Sequence, residues 1–322
     1  MLVRDFLERH QSWIYLIAIV AGFWLGLTRP ATAEPLDHLL WPLLGVLLYA
    51  TFTQVPLTRL SLALRDWRFL GALMIGNFLV IPLALGALVH WLPLEPAILV
   101  GVLLVLLVPC TDWFISFTHL GRGDTGRAIA ATPILLLAQI MALPAYLWWF
   151  LGNDWLRVAM TGHLLTAFTG LILAPLVLAW LTERLASSHL NARRLVHGLG
   201  FLPVPLLAVV VFVIAASQVN QVAGMTGVLL QVLLIFLAYL LFAALLGRAL
   251  GRWFGLDPAA ARTLTFSFGT RNSFVVLPIA LALPEAWQVA VVVIVFQSLV
   301  ELFGMVAYLK WVPGRLLPDR ED

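Results

Sequence analysis

The chain has 322 residues, of which 62% are hydrophobic and only 11% charged, with a net charge of +3 and a mean hydropathy of +1.00. A soluble domain carries roughly 25% charged residues, so this composition excludes an ordinary water-soluble fold and points to an integral membrane protein. The single cysteine, Cys110, excludes a disulfide framework and a multi-thiolate metal site within one chain, and the basic balance suits membrane-flanking loops rather than a nucleic-acid partner.

A membrane span needs roughly 17–25 mostly apolar residues. In chain order, ten stretches qualify: about 12–28, 37–57, 69–91, 96–119, 126–150, 157–181, 199–217, 226–250, 259–282 and 285–310. Arg4, Asp5, Glu8 and Arg9 precede the first, and no small-residue cleavage motif follows it, so it is read as a retained helix. Trp13, Trp91, Trp149, Trp155, Trp253 and Trp311 fall near span ends, as an interfacial aromatic belt requires. The longest polar stretch, Thr182 to His197, joins spans six and seven.

Lysines and arginines orient the chain. Sixteen of the nineteen fall on one side, among them Arg59, Arg65, Arg193, Arg194 and Arg320, whereas only Arg29 and Arg157 fall on the other. The basic side is cytoplasmic by the positive-inside rule, which places both termini there, in a plasma membrane of bacterial inner-membrane type. Ten spans divide into residues 1–152 and 153–322, five each. Because five is odd, equivalent halves must be inverted relative to one another. The expected fold is therefore all-α, two inverted five-helix repeats.

The fourth and ninth spans carry matching interruptions. One reads Val108-Pro109-Cys110-Thr111-Asp112-Trp113-Phe114, the other Phe268-Gly269-Thr270-Arg271-Asn272-Ser273-Phe274, and they follow Leu94-Glu95-Pro96-Ala97 and Leu256-Asp257-Pro258-Ala259. Interrupted spans at corresponding places in two halves are the best sequence pointer to a transporter's binding site, near the midplane where the broken helices meet. Chance placement of Pro and Gly, both common in membrane helices, is the bland alternative.

Ionisable groups near a bilayer centre cost about 2.5–3.5 kcal/mol on insertion scales, which makes them functional candidates. The proposed spans contain Asp112, Arg271 and Glu301. Asp112 and Arg271 lie in the two breaks; if the broken helices cross, these opposite charges could pair, either as a switch for proton coupling or as a permanent structural bridge, and the sequence leaves open whether they do. Glu301 follows Gln297 by one helical turn and shares its face, so it serves equally well as a proton relay or as a group reaching the interface near Lys310. Cys110 is a soft ligand if its thiol faces a cavity, and a small buried hydrophobe otherwise. Asn77, Gln139, His163 and Gln231 are adequately explained by interhelical hydrogen bonding. Asp124 is placed to cap the fifth span. The run Gly121-Arg122-Gly123-Asp124 resembles the GxGD of intramembrane aspartyl proteases, but that chemistry needs an aspartate inside a span and a second beside it, and no catalytic set or cofactor is expected.

Pro109-Cys110-Thr111, then Ser116-Phe117-Thr118-His119-Leu120 and Gly123-Asp124, resembles the fourth-span signature of arsenite-efflux permeases, a branch of the bile acid/sodium symporter superfamily. Asn272-Ser273-Phe274 and the long span after it are similar to that family's ninth and tenth spans. The resemblance implies a core domain holding the crossed, broken helices beside a panel domain. It also implies a transport role for Cys110 toward arsenite, with proton antiport. This chain departs from the arsenite branch at Asp112, where a small residue is usual, and at Val275, where that branch has a glutamate. Sodium-coupled relatives read Glu-x-Gly-x-Gln-Asn where this chain reads Ser267-Phe268-Gly269-Thr270-Arg271-Asn272. The resemblance thus sets a guanidinium in place of a sodium ligand. Expected substrate contacts are Cys110, Thr111, Arg271, Asn272 and Ser273, with Asp112, Arg271 and Glu301 in proton coupling. An organic-anion carrier using Arg271 to grip a carboxylate, and a membrane sensor that binds without transporting, are the alternatives.

Overall fold

Proline and glycine spacing sets most helix boundaries in the computed structural model, which describes residues 2–30, 34–56, 66–92, 94–159, 162–217 and 226–319. Arg59, Arg65 and Arg320, and the side chains of Arg4, Arg9, Arg157 and His163, lie outside the described residues. Among the described residues the chain is helical throughout, with no strand. The helices are α1 (Leu2–Thr28), α2 (Leu40–Phe52), α3 (Trp67–Trp91), α4 (Pro96–Leu106), α5 (Trp113–Leu120), α6 (Thr125–Gly152, continuing to Ala159), α7 (Leu164–Ala186), α8 (Leu190–Leu199), α9 (Pro203–Ser217), α10 (Thr226–Trp253), α11 (Pro258–Gly269), α12 (Ser273–Leu281) and α13 (Val289–Trp311).

Among the described residues five stretches are long and apolar enough to cross a membrane: Trp67–Trp91, Thr125–Gly152, Leu164–Ala186, Gly227–Trp253 and Glu285–Leu316. The bent pair α8 and α9, meeting at 42°, makes a sixth if taken as one span. Hydropathy had suggested ten. Four of the ten stretches fall short of that length: 96–119 is divided into α4 and α5, of 11 and 8 residues, 259–282 into α11 and α12, of 12 and 9, and the stretches 12–28 and 37–57 hold the shorter apolar helices Trp13–Thr28 and Leu40–Phe52.

The chain forms two compact units, and neither follows the sequence halves. The first contains 1–54, 161–230 and 277–283; the second contains 55–160, 231–276 and 284–322. In the first, α1 packs along α9, and Gly22 permits the contact because a Cβ there would sit 2.4 Å from the Phe212 carbonyl oxygen. Tyr49 and Thr182 share a hydroxyl–hydroxyl hydrogen bond of 2.9 Å between α2 and α7.

The second unit holds both breaks. Pro82 in α3 cannot donate to the carbonyl four residues back and crowds it, so the preceding turn, Gly76–Val80, widens to π geometry. The freed Phe78 carbonyl accepts the Tyr146 hydroxyl at 2.5 Å. Gly76 also lets α3 reach α11, because a Cβ there would lie 2.1 Å from the Phe268 ring. At the polar end of the unit, Arg127 ties three helix N-termini together. It donates to Asp66 and Asp257 at 2.7 Å and to Asp124 at 3.2 Å. Those aspartates accept from the backbone N–H of Phe69, Ala260 and Arg127 at the starts of α3, α11 and α6. Partial burial opposes ionisation of Asp257, yet the Ala260 N–H and the Arg127 guanidinium outweigh it and hold the carboxyl below its ordinary range.

α10 ends in a Schellman turn, with Gly255 at φ 63° and the Leu256 N–H donating to the Gly251 carbonyl at 2.9 Å. Before it, Gly247 and Gly251 form a GxxxG pair against Thr265 and Ala261 of α11, and a Cβ on Gly247 would meet Thr265 Oγ1 at 2.2 Å and its Cα at 2.7 Å. Gly247→Leu is therefore expected to push α10 off α11 and destabilise the protein by about 1–3 kcal/mol or more. Thermal unfolding in detergent checks this, with Gly227→Leu as the comparison because a Cβ there meets nothing within 4 Å.

Candidate functional site

The two interruptions meet. Pro109 and Arg271 form an antiparallel bridge, with the Cys110 N–H donating to the Thr270 carbonyl at 3.2 Å and the Asn272 N–H to the Val108 carbonyl at 2.8 Å. Each unwound segment thus satisfies the other's backbone, which bilayer-depth chain must do without water. The crossing sets the C-terminal ends of α4 and α11 beside the N-terminal ends of α5 and α12. Carbonyl-rich negative ends and N–H-rich positive ends therefore share one small volume.

Arg271 fills the carbonyl side. Its guanidinium donates to Phe268 O at 2.6 Å, Ser267 O at 3.3 Å, Leu106 O at 3.3 Å and Asn77 Oδ1 at 3.0 Å. It also lies 5.3 Å from the centre of the Tyr239 ring, a cation–π contact, while the Tyr239 hydroxyl donates to Phe268 O at 2.7 Å. Only 2% of Arg271 is exposed. The hydrogen bonds described for this side chain go to neutral oxygens, so carbonyls and an amide, rather than the charge of Asp112 alone, surround the guanidinium. A residue just past a helix C-terminus finds that helix's last carbonyls first, and these carry the negative dipole end. Asp112 sits half-buried at the N-cap of α5, though its carboxylate does not cap that helix.

The carboxylate that meets Arg271 is Glu301. Its Oε2 accepts the Arg271 backbone N–H and the Gln297 side-chain amide, each at 2.8 Å, while Oε1 has no hydrogen-bond partner among the described residues. Gln297 Oε1 in turn accepts from the Ser273 hydroxyl at 3.2 Å. A hydrogen-bonded line therefore runs from Ser273 through Gln297 to Glu301 and the Arg271 backbone. On the other side, Asn272 caps α12 by accepting the Val275 N–H at 3.3 Å, and donates to Thr111 Oγ1 at 3.3 Å. Cys110, Thr111, Asn272 and Ser273 are each 6% exposed or less, so the cluster is occluded in this conformation.

Sequence reasoning passed over Asn77, which bridges Arg271, Ser267 and Leu73 O. It also passed over Tyr239. Each carried a signal: Asn77 lies beside Gly76 and upstream of Pro82, and a phenol deep in an apolar span needs a hydrogen-bond partner. Among the described residues no group of three or more His, Cys, Asp or Glu side chains is placed to hold a metal ion.

Residues 41–225 match the Sodium Bile acid symporter family. Over 266 residues the chain is 24% identical to a protein of Bacillus subtilis (strain 168) named "Uncharacterized sodium-dependent transporter YocS", a match covering 81% of this chain and 78% of the relative.

Proposed function

The chain belongs to the Sodium Bile acid symporter family of membrane transporters, and from that premise we propose that it exports arsenite or a similar small oxyacid by proton antiport, without sodium. The observation that carries this reading is the crossing itself, which gathers Cys110, Thr111, Asn272 and Ser273 beside a buried carboxylate. Arsenite at neutral pH is a largely uncharged hydroxylated solute. One thiol sulfur in contact with trivalent arsenic, supported by a threonine hydroxyl, an amide and a serine hydroxyl, matches its soft centre and its hydroxyl groups.

The line from Ser273 to Glu301 supplies a coupling route. A substrate hydroxyl that engages Ser273 competes with Gln297 for it, and Gln297 holds the carboxylate. Arg271 supports sodium independence. Broken-helix carbonyls are the groups that coordinate sodium in transporters of inverted-repeat design, and here a tethered guanidinium already occupies three of them. The same contacts weigh against the organic-anion reading, since the guanidinium is turned to carbonyls and not toward a substrate carboxylate.

The ten-span inverted repeat is part of the proposal. Both first half-helices begin with proline after an acidic residue, Glu95-Pro96 and Asp257-Pro258, and each compact unit draws on both sequence halves. Both termini are then cytoplasmic, in a bacterial inner membrane. Cys110→Ser tests the substrate. It should fold normally, since serine fits the small buried site, and lower arsenite efflux from whole cells by on the order of ten-fold or more, the loss expected when a transport-specific contact goes. Full arsenite resistance at equal expression would remove the soft-sulfur role.

A further inference from the structure

A second polar site lies at the end of the same unit, away from the crossing. A cavity of about 370 Å³ opens between the last turns of α10, the start of α11 and the C-terminal segment. Its charged lining is Arg248, Arg252 and Arg315, with Pro258, Leu317 and Pro318 as apolar walls. Arg248 and Arg252 are four residues apart on one helix and share a face. Arg315 arrives from the π turn Val312–Leu316.

Those three guanidinium groups have no ion pair among the described residues. The carboxylates next to the lining in sequence are committed elsewhere: Asp257 to Arg127, and Asp319 to Arg262 at 2.6 Å. Three like charges converging on one cavity repel one another unless an anion balances them. The contrast within the unit is direct, because Arg127 faces three carboxylates while the described residues that line this pocket include none. Arg262 is 2% exposed and also donates to Leu317 O at 2.9 Å, so the segment carrying Arg315 is fixed against α11. The pocket is built rather than left by a loose tail.

We propose that this pocket binds an anionic phosphate group, gripped by Arg248, Arg252 and Arg315. Guanidinium forks match phosphate oxygens in pairs, and three of them suit a phosphodiester or phosphate better than a single carboxylate. Trp253, 78% exposed, adjoins the pocket on α10 and marks the headgroup level of a bilayer. Basic pockets between helices on the cytoplasmic side take anionic lipid headgroups, and a phosphatidylglycerol-type headgroup supplies the chemistry in place.

The test follows thermal unfolding of the full chain in detergent while dioleoylphosphatidylglycerol, dioleoylphosphatidylcholine or sodium phosphate is titrated. Phosphatidylglycerol is expected to raise the midpoint by on the order of 5 °C at saturation, and the zwitterionic lipid far less. R248Q, R252Q and R315Q should each weaken the apparent affinity about five-fold, and the triple variant on the order of a hundred-fold. R193Q/R194Q, which removes two exposed arginines of α8, should leave it unchanged. Sodium phosphate acting at the same concentrations, with the same losses, keeps the site and assigns free phosphate as its ligand; a need for far higher concentrations assigns the lipid. Should R248Q fail to fold, R315Q on the exposed segment decides alone. An anion response that survives R315Q, or that R193Q/R194Q weakens equally, overturns the proposal.

Discussion

Arg271→Gln is expected to destabilise the protein by about 3–5 kcal/mol, and Arg271→Gln combined with Glu301→Gln by less than the sum of the two single losses. Two effects act together at Arg271. Its guanidinium satisfies Leu106 O, Ser267 O and Phe268 O at the broken helix ends, and glutamine cannot reach all three. Its charge also lies in the same buried cluster as Glu301, whose Oε2 accepts the Arg271 N–H. Removing the cation alone strands a carboxylate that is 1% exposed. Neutralising both removes that penalty and leaves only the carbonyl losses. The measurement is a double-mutant cycle on unfolding midpoints in one detergent. Strictly additive losses would show that the two charges do not stabilise one another.

The location of this cluster was legible in the sequence, and its wiring was not. Pro109 and Gly269 each end an apolar run, and the polar residues after them, Thr111 and Arg271 among them, belong to unwound chain that must find partners. Backbone carbonyls, however, do not appear in a residue-by-residue reading. Charge drew attention to Asp112 and Arg271 together, and gave no sign that a guanidinium three and four residues beyond Phe268 and Ser267 meets their carbonyls. Glu301 was a candidate from its spacing to Gln297, yet nothing in that spacing says that its oxygen reaches a main-chain N–H thirty residues earlier.

The helix count shows a similar boundary. Hydropathy sums over a window and joins α4 to α5 across Val108–Asp112, whereas the folded chain divides them. Local capping chemistry was easier to read. Asp124 accepts the Arg127 N–H at the start of α6, and Asp257 caps α11, although Glu95, in the matching place, does not cap α4. Asn77 and Tyr239 were hidden for a different reason. Each is one polar residue in an apolar helix, a pattern that ordinary interhelical bonding also produces, and only the crossing of α3, α10 and α11 on Arg271 distinguishes the two.

Glu301→Gln should leave the protein folded while uncoupling transport from protons. Glutamine keeps the size of the side chain and an oxygen for the Arg271 N–H, but it has no titratable group to exchange with solvent during the transport cycle. In proteoliposomes with an imposed pH gradient, wild-type protein is expected to accumulate arsenite against its own gradient. The variant should lose that uphill component by on the order of ten-fold or more while still exchanging arsenite down a gradient, since the Cys110, Thr111, Asn272 and Ser273 cluster is intact. Replacing sodium with choline at a fixed pH gradient should leave the wild-type rate unchanged, because the guanidinium already occupies the broken-helix carbonyls. A saturable sodium requirement would show that a free cation binds despite Arg271, and would return the chain to sodium symport. Uphill transport that keeps its pH dependence in Glu301→Gln would instead move the coupling group to Asp112, which lies at the positive end of α5, where the helix dipole favours a carboxylate.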